Sequence, residues 1–95
     1  MAQLQKELTV LNKLGLHARP AALLVQMTNR FSSEVTLRKN DIEINAKSIM
    51  GIMMLAAEYG STLLVTAVGD DAEDALNAIQ EIFNRKFEEN DEGEE

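Results

Sequence analysis

The 95-residue sequence predicts an α+β domain of two layers, with helices on one face of a small, mostly antiparallel sheet. Three observations carry this. Four short stretches alternate apolar and polar residues with the period of a strand, and three carry apolar residues at helical spacing. In chain order they run βαββαβα, the split βαβ arrangement. The length is near the common domain size and above the size at which disulfides or metals become necessary to hold a core.

The elements follow in order. LQKELTVLN is a strand with Leu8 and Val10 on one face, ending at the polar, glycine-containing NKLG. ARPAALLVQMTNRF is a helix, with Ala21, Leu24, Val25 and Thr28 at helical spacing and Pro20 in its first turn. SSEVTLRKNDIEINA is a hairpin, in which Val35 and Leu37 alternate, then Ile42 and Ile44, across the turn formers Asn40 and Asp41. SIMGIMMLAAEYG is a second helix closing at Gly60. STLLVTAVG is a strand with Leu63, Val65 and Ala67 on one face. DDAEDALNAIQEIFNRKF is a third helix: Asp70 and Glu73 have capping-box spacing, and Ala75, Leu76, Ile79, Ile82 and Phe83 form its apolar stripe.

Composition excludes several function classes. With no cysteine and one histidine, neither a disulfide framework nor a zinc cluster is expected. No apolar run is long enough to span a bilayer. MAQLQKELTV has neither the charged nor the apolar region of a signal peptide, so a cytoplasmic protein is the expectation. The formal charge of -7 argues against nucleic acid as a partner, because phosphate neutralisation needs a basic stripe. Much of that charge sits in FEENDEGEE, which sets an expected boundary between a domain over residues 1–88 and an acidic, solvated tail over residues 89–95.

The window LGLHARPAA holds the only histidine, His17, and the only proline, Pro20, with Arg19 between them. It joins the first strand to the first helix. The leading N–H groups of a helix lack internal partners and lie at the positive end of its dipole, which makes an anion site. A phosphoryl group on His17 would sit beside free amides from about Ala18 onward, with the Arg19 guanidinium suited to phosphate oxygens. Histidine is a competent covalent nucleophile. Gly15 permits a turn that exposes the ring. No carboxylate lies in the window to orient the imidazole as in a hydrolytic triad, which suits transfer without hydrolysis. A histidine at a helix start is also often a simple cap or turn residue.

The second helix is apolar nearly all round. Ile52, Leu55 and Ala56 are assigned to the core; Ile49, Met50 and Met53 form a second stripe left for solvent or a partner. Methionine is adaptable and suits a surface that meets several partners. Ser48 opens this helix as an N-cap, and is also a candidate phosphorylation site at the edge of the stripe.

Two motifs, GLHARPAA around His17 and KSIMGIMML around Ser48, make the chain resemble the histidine-containing phosphocarrier (HPr) family of the bacterial phosphoenolpyruvate-dependent phosphotransferase system. The resemblance covers nearly the whole chain apart from the acidic tail. It implies an open-faced β-sandwich, a four-stranded antiparallel sheet covered by three helices. It implies that His17 takes a phosphoryl group on Nδ1 from phospho-enzyme I and passes it to IIA proteins or domains of permeases, as a stoichiometric carrier and not a turnover enzyme. Ala18 and Arg19 would cradle the group; Ile49, Met50, Met53 and Ala22 would form the patch that docks donor and acceptor. Ser48 would be modified by an HPr kinase/phosphorylase. No cofactor and no metal are implied, and a monomer is expected.

The chain also departs from enteric members, which carry lysines along the first helix where this chain has Gln26 and Asn29, and a basic residue where it has Gly51. A thinner positive rim shifts association from electrostatic steering toward apolar contact. The Met-rich second helix and acidic tail are also similar to the nitrogen-related branch, NPr. The competing functional class is a regulatory protein-binding module controlled at Ser48. A third, a ligand-binding regulatory domain of similar element order, would need a pocket motif that the sequence does not display.

Overall fold

A computed structural model describes residues 2–88. The elements are β1 (Ala2–Thr9), α1 (Ala18–Thr28), β2 (Glu34–Lys39), β3 (Ile42–Asn45), α2 (Ile49–Leu55), β4 (Thr62–Gly69) and α3 (Ala72–Asn84), followed by a short helical turn at Lys86–Glu88. The proposed tail, residues 89–95, lies outside the described residues.

The four strands form one antiparallel sheet in the order β1-β4-β2-β3. Register follows from the period-two pattern, since a slip of one residue would turn every apolar side chain outward. β4 is central: Leu63 and Val65 face Leu8 and Lys6 of β1, and Ala67 and Val65 face Val35 and Leu37 of β2. Leu63, Val65, Ala67, Val35 and Leu37 are buried under the helices, with Leu24 of α1, Ile52 and Leu55 of α2, and Ile79 and Phe83 of α3. The other face carries polar side chains such as Gln5, whose Nε2 donates to Thr66 Oγ1 at 3.2 Å. This is the expected open-faced, two-layer architecture.

Several boundaries depart from the sequence pattern. α2 stops at Leu55, not near Gly60: Ala56 adopts the left-handed conformation at φ 53° and its N–H turns back to Met53 O. That places Ala56 on the surface instead of in the core stripe. Ile42, paired with Lys39 on the edge strand, is 50% exposed. Among the α1 positions, Val25 is only half-buried. α3 ends at Asn84, because Lys86, Phe87 and Glu88 all take positive φ. The turn folds Phe87 back into the core, its ring 5.0 Å from that of Phe83.

The capping box at the start of α3 is also corrected. The N-cap is Asp71, not Asp70, and its carboxylate makes no cap hydrogen bond. It turns instead to the α1–β2 connection and accepts from Ser32 N and Ser33 N, each at 2.9 Å, and from Ser33 Oγ. Gly69 allows this approach: at φ +149° it sits where a Cβ would fall 2.5 Å from Ser33 Oγ. The Ser33 hydroxyl first, then the Ser32 amide, stabilise the charged form and hold the Asp71 carboxyl at about 2, below the ordinary 3.8. A depressed carboxyl contributes stability that is present above its unfolded value and lost as pH falls toward its folded value. The urea midpoint of the wild-type chain therefore falls between about pH 4 and pH 2 more than that of Asp71→Asn, and the wild type is the more stable of the two at pH 7; parallel midpoint-against-pH curves would remove the latch.

Candidate functional site

His17 owes its position to the residues on either side of it. On the N-terminal side, Asn12 Nδ2 donates to Gly15 O at 2.6 Å and Gly15 N donates to Asn12 O at 3.1 Å, closing a tight loop. Gly15 takes φ +71°, and a Cβ there would fall 2.5 Å from Ala57 O. That oxygen is the acceptor for Leu16 N at 2.9 Å, while the Leu16 side chain is buried. On the C-terminal side, Pro20 and Ala21 are buried in α1, and Ala21 N donates to His17 O at 2.9 Å, the first bond of the helix. His17 is thus the extended N-cap of α1 (φ -79°, ψ -168°), with an anchored residue before it and an anchored turn after it.

As N-cap, His17 makes no side-chain cap hydrogen bond, unlike the Ser, Thr, Asp or Asn usual at that position. Since the helix ladder starts at Ala21 and Pro20 has no N–H, Ala18 and Arg19 are the two first-turn residues whose amides lack an intrahelical acceptor. Both are exposed. No acidic side chain occupies the first turn of α1. The cradle expected at Ala18 and Arg19 is therefore geometrically available, and the Arg19 guanidinium stands in the same turn.

The rest of the site comes from a distant part of the chain. His17 lines an open, shallow depression with Lys13, Leu14 and Leu16 from its own loop, and with Met53, Ala56, Ala57, Glu58 and Tyr59 from the end of α2 and the loop after it. The Leu16–Ala57 bond and a second pair, Gly60 N to Val10 O at 2.8 Å and Val10 N to Ser61 O at 2.9 Å, hold the two connections together. Met53 is thus brought to the histidine. Ile49 and Met50 sit farther back on α2 and do not line the depression; they are 42% and 71% exposed. Ala22, half-buried on α1, does not line it either. Met54, 70% exposed, belongs to the same outward face and was not singled out by spacing, as were neither Leu14 nor Tyr59. The one sequence signal for these is their type: Leu14 is a large apolar residue in a stretch read as loop, and Met54 and Tyr59 add to a second helix already apolar nearly all round.

Ser48 is the N-cap of α2, and its Oγ accepts from Gly51 N at 3.0 Å. A seven-residue helix has little intrinsic stability, so its cap and its two buried side chains, Ile52 and Leu55, matter more than they would in a long one. Among the described residues no group of three or more histidine or carboxylate side chains could hold a metal ion, and no helix is long and apolar enough to cross a membrane.

This architecture, an open-faced sheet under three helices with a histidine at the N-cap position of the first helix, is that of the HPr-like phosphocarriers. Residues 4–85 match the PTS-HPr family, described as "PTS HPr component phosphorylation site". The chain is 51% identical over 84 residues to a phosphocarrier protein HPr of Treponema pallidum, covering 88% of this chain and 96% of that one. It is 37% identical over 89 residues to a phosphocarrier protein NPr of Shewanella violacea, covering 94% and 98%. The crystal structure of an HPr from Thermoanaerobacter tengcongensis superposes with a TM-score of 0.85 at 43% identity, covering 95% of this chain and 99% of that one. The chain belongs to the HPr family of phosphocarrier proteins of the phosphotransferase system.

Replacing Ser48 by Ala removes the cap and is expected to cost about 1 kcal/mol of unfolding free energy, whereas Ser48→Asp, which keeps an acceptor at the N-cap, stays within a few tenths of that of the wild type. Urea unfolding of the two variants checks this; equal losses would mean that the Ser48 hydroxyl contributes through something other than the cap.

Proposed function

We propose that His17 accepts a phosphoryl group on Nδ1 from phospho-enzyme I and passes it to IIA proteins or domains, within the cytoplasm. The observation that carries this reading is the placement of His17 as a non-capping N-cap, beside the amides of Ala18 and Arg19 and in one depression with Met53. Membership of the family supports it.

In the forward step the Nδ1 lone pair of His17 attacks phosphorus, a new N–P bond forms, and the bond from phosphorus to the donor breaks with its electron pair returning to the donor. The second transfer repeats this with His17 as leaving group. Charge on the phosphoryl oxygens is met by the two amides, the positive end of the α1 dipole and the Arg19 guanidinium. The two amides and the helix dipole do not have to reorganise between the two steps, since the backbone around His17 is anchored on both sides. No group in the first turn is a carboxylate that could activate water, which favours transfer over hydrolysis.

The outward stripe of Ile49, Met50 and Met53, with Ala22, is the surface on which donor and acceptor dock. Ser48 is its regulatory edge. A phosphate on Oγ would sit at the N-terminus of α2, compatible with the helix dipole, while its charge and hydration would oppose apolar docking next to Ile49 and Met50. An HPr kinase/phosphorylase is the corresponding partner. Because the chain retains His17 and Arg19 as well as Ser48, the carrier role stands ahead of a purely regulatory one.

Incubation with phosphoenolpyruvate and the cognate enzyme I should add one acid-labile phosphoryl group to the intact mass of the wild type and none to His17→Ala; a labelled His17→Ala would move the site elsewhere. Met50→Glu should raise the KM for phospho-enzyme I by roughly tenfold, the size of a modest interface hot spot. Its urea midpoint should be unchanged, since Met50 is 71% exposed. A large loss of stability in Met50→Glu would show that this methionine supports the fold.

A further inference from the structure

One contact ties a distant part of the chain to the junction that presents His17. Lys39 ends β2, in register with Ile42 across the hairpin turn. Along β2 it shares the helix-facing side with Val35 and Leu37, which are buried, whereas Lys39 is half-buried. Its side chain reaches the end of α2, where Nζ donates to Ala56 O at 2.9 Å.

Ala56 is a strained place to end a helix. It is left-handed at φ 53° and ψ 44°, a conformation that glycine usually supplies and that a Cβ disfavours. Such a conformation persists where its surroundings hold it. Two bonds do so here: Ala56 N donates to Met53 O at 3.1 Å, and Lys39 Nζ holds the carbonyl on the other side of the same residue. The ammonium also stands at the negative end of α2, whose own last turn has no basic residue. The held carbonyl is one peptide from the site. Ala56 O belongs to the peptide plane that joins Ala56 to Ala57, and Ala57 O is the acceptor for the N–H of Leu16, the residue before His17. Lys39 does not line the His17 depression, so it acts on the histidine through this backbone.

We infer that Lys39 is a positioning residue for His17: its bond to Ala56 O sets the turn after α2 that offers Ala57 O to Leu16, and with it the direction in which the imidazole is presented. This rests on the reading of His17 as the phosphoryl acceptor. Because the lysine acts by geometry, its loss slows transfer from a bound donor and leaves donor binding intact; a small misplacement of a reacting atom is enough to lower a rate. Arg38 supplies the contrast. It has the same charge one residue away, but it is exposed on the opposite side of the sheet, and its Nε donates to Asn40 O at 3.1 Å within its own hairpin.

The test uses the full chain. In Lys39→Met the Leu16 amide should exchange with deuterium about fivefold faster than in the wild type, while the amides of β4 are unchanged. With phosphoenolpyruvate and the cognate enzyme I, kcat for phosphorylation should fall about threefold, and KM for phospho-enzyme I should stay within about twofold. Lys39→Arg, which keeps a charged donor, should restore both readings, and Arg38→Met should alter neither. An unchanged Leu16 exchange rate in Lys39→Met overturns the inference. So does faster exchange with unchanged kcat, which would confine the lysine to the loop, and so does a rise in KM alone, which would place it in donor binding. A wild-type chain that takes no phosphoryl group from phospho-enzyme I overturns the parent reading and this inference with it; normal wild-type transfer with an unaffected Lys39→Met overturns this inference alone.

Discussion

The hydrogen bond from Leu16 N to Ala57 O joins two chain segments about forty residues apart, and the geometry of the site descends from it. It ties the β1–α1 connection to the α2–β4 connection. Gly15 makes the approach possible, because any Cβ at that position would collide with the acceptor oxygen. With Leu16 anchored in the core and Ala21 already in the helix ladder, His17 has one backbone course between them. The same bond brings Met53, Ala57 and Tyr59 into one open depression with His17. Loosening it would affect the orientation of the histidine and the shape of the surrounding surface together.

α2 divides its apolar residues between two tasks. Ile52 and Leu55 are buried and fix the helix to the sheet, while Met50 and Met54 are among the most exposed apolar side chains described. In a helix of seven residues the buried pair and the Ser48 cap supply most of what holds it in place. The outward residues are largely exposed and contribute little to folding. The position that caps the helix is also the one proposed above for phosphorylation, and its hydroxyl oxygen already accepts from Gly51 N.

The opposite end of β4 carries a different fastening. There the Asp71 carboxylate gathers Ser32 and Ser33, closing the α1–β2 connection onto the start of α3. It lies at Gly69, whereas the loops around His17 meet at Gly60 and Ser61, before β4 begins. The scaffold is thus secured by a carboxylate at one end and, at the other, by backbone bonds between loops together with the Asn12 side chain.

Much of the molecule was legible in the residues alone. Period-two alternation in β4 and the helical stripe of α3 predict Leu63, Val65, Ala67, Ala75, Leu76, Ile79, Ile82 and Phe83 as core, and all are buried. Their signal is local, since each pattern records burial along one element. The crowding of His17, Arg19 and Pro20 was legible for a similar reason: a helix N-terminus is a local object whose unpaired amides follow from the first turn. What depended on contacts between distant segments was not. Spacing places Ala56 in the core because it says nothing of where a left-handed residue ends a helix. Spacing favours Asp70 over Asp71 because the partners of Asp71, Ser32 and Ser33, belong to another connection. Leu14 and Tyr59 became part of the site only when the chain closed. Side-chain chemistry and periodicity thus set which segments are strands and helices and which histidine stands at the start of α1; the tertiary structure decided what surrounds it, because that depends on backbone bonds between loops that no pattern along the chain records.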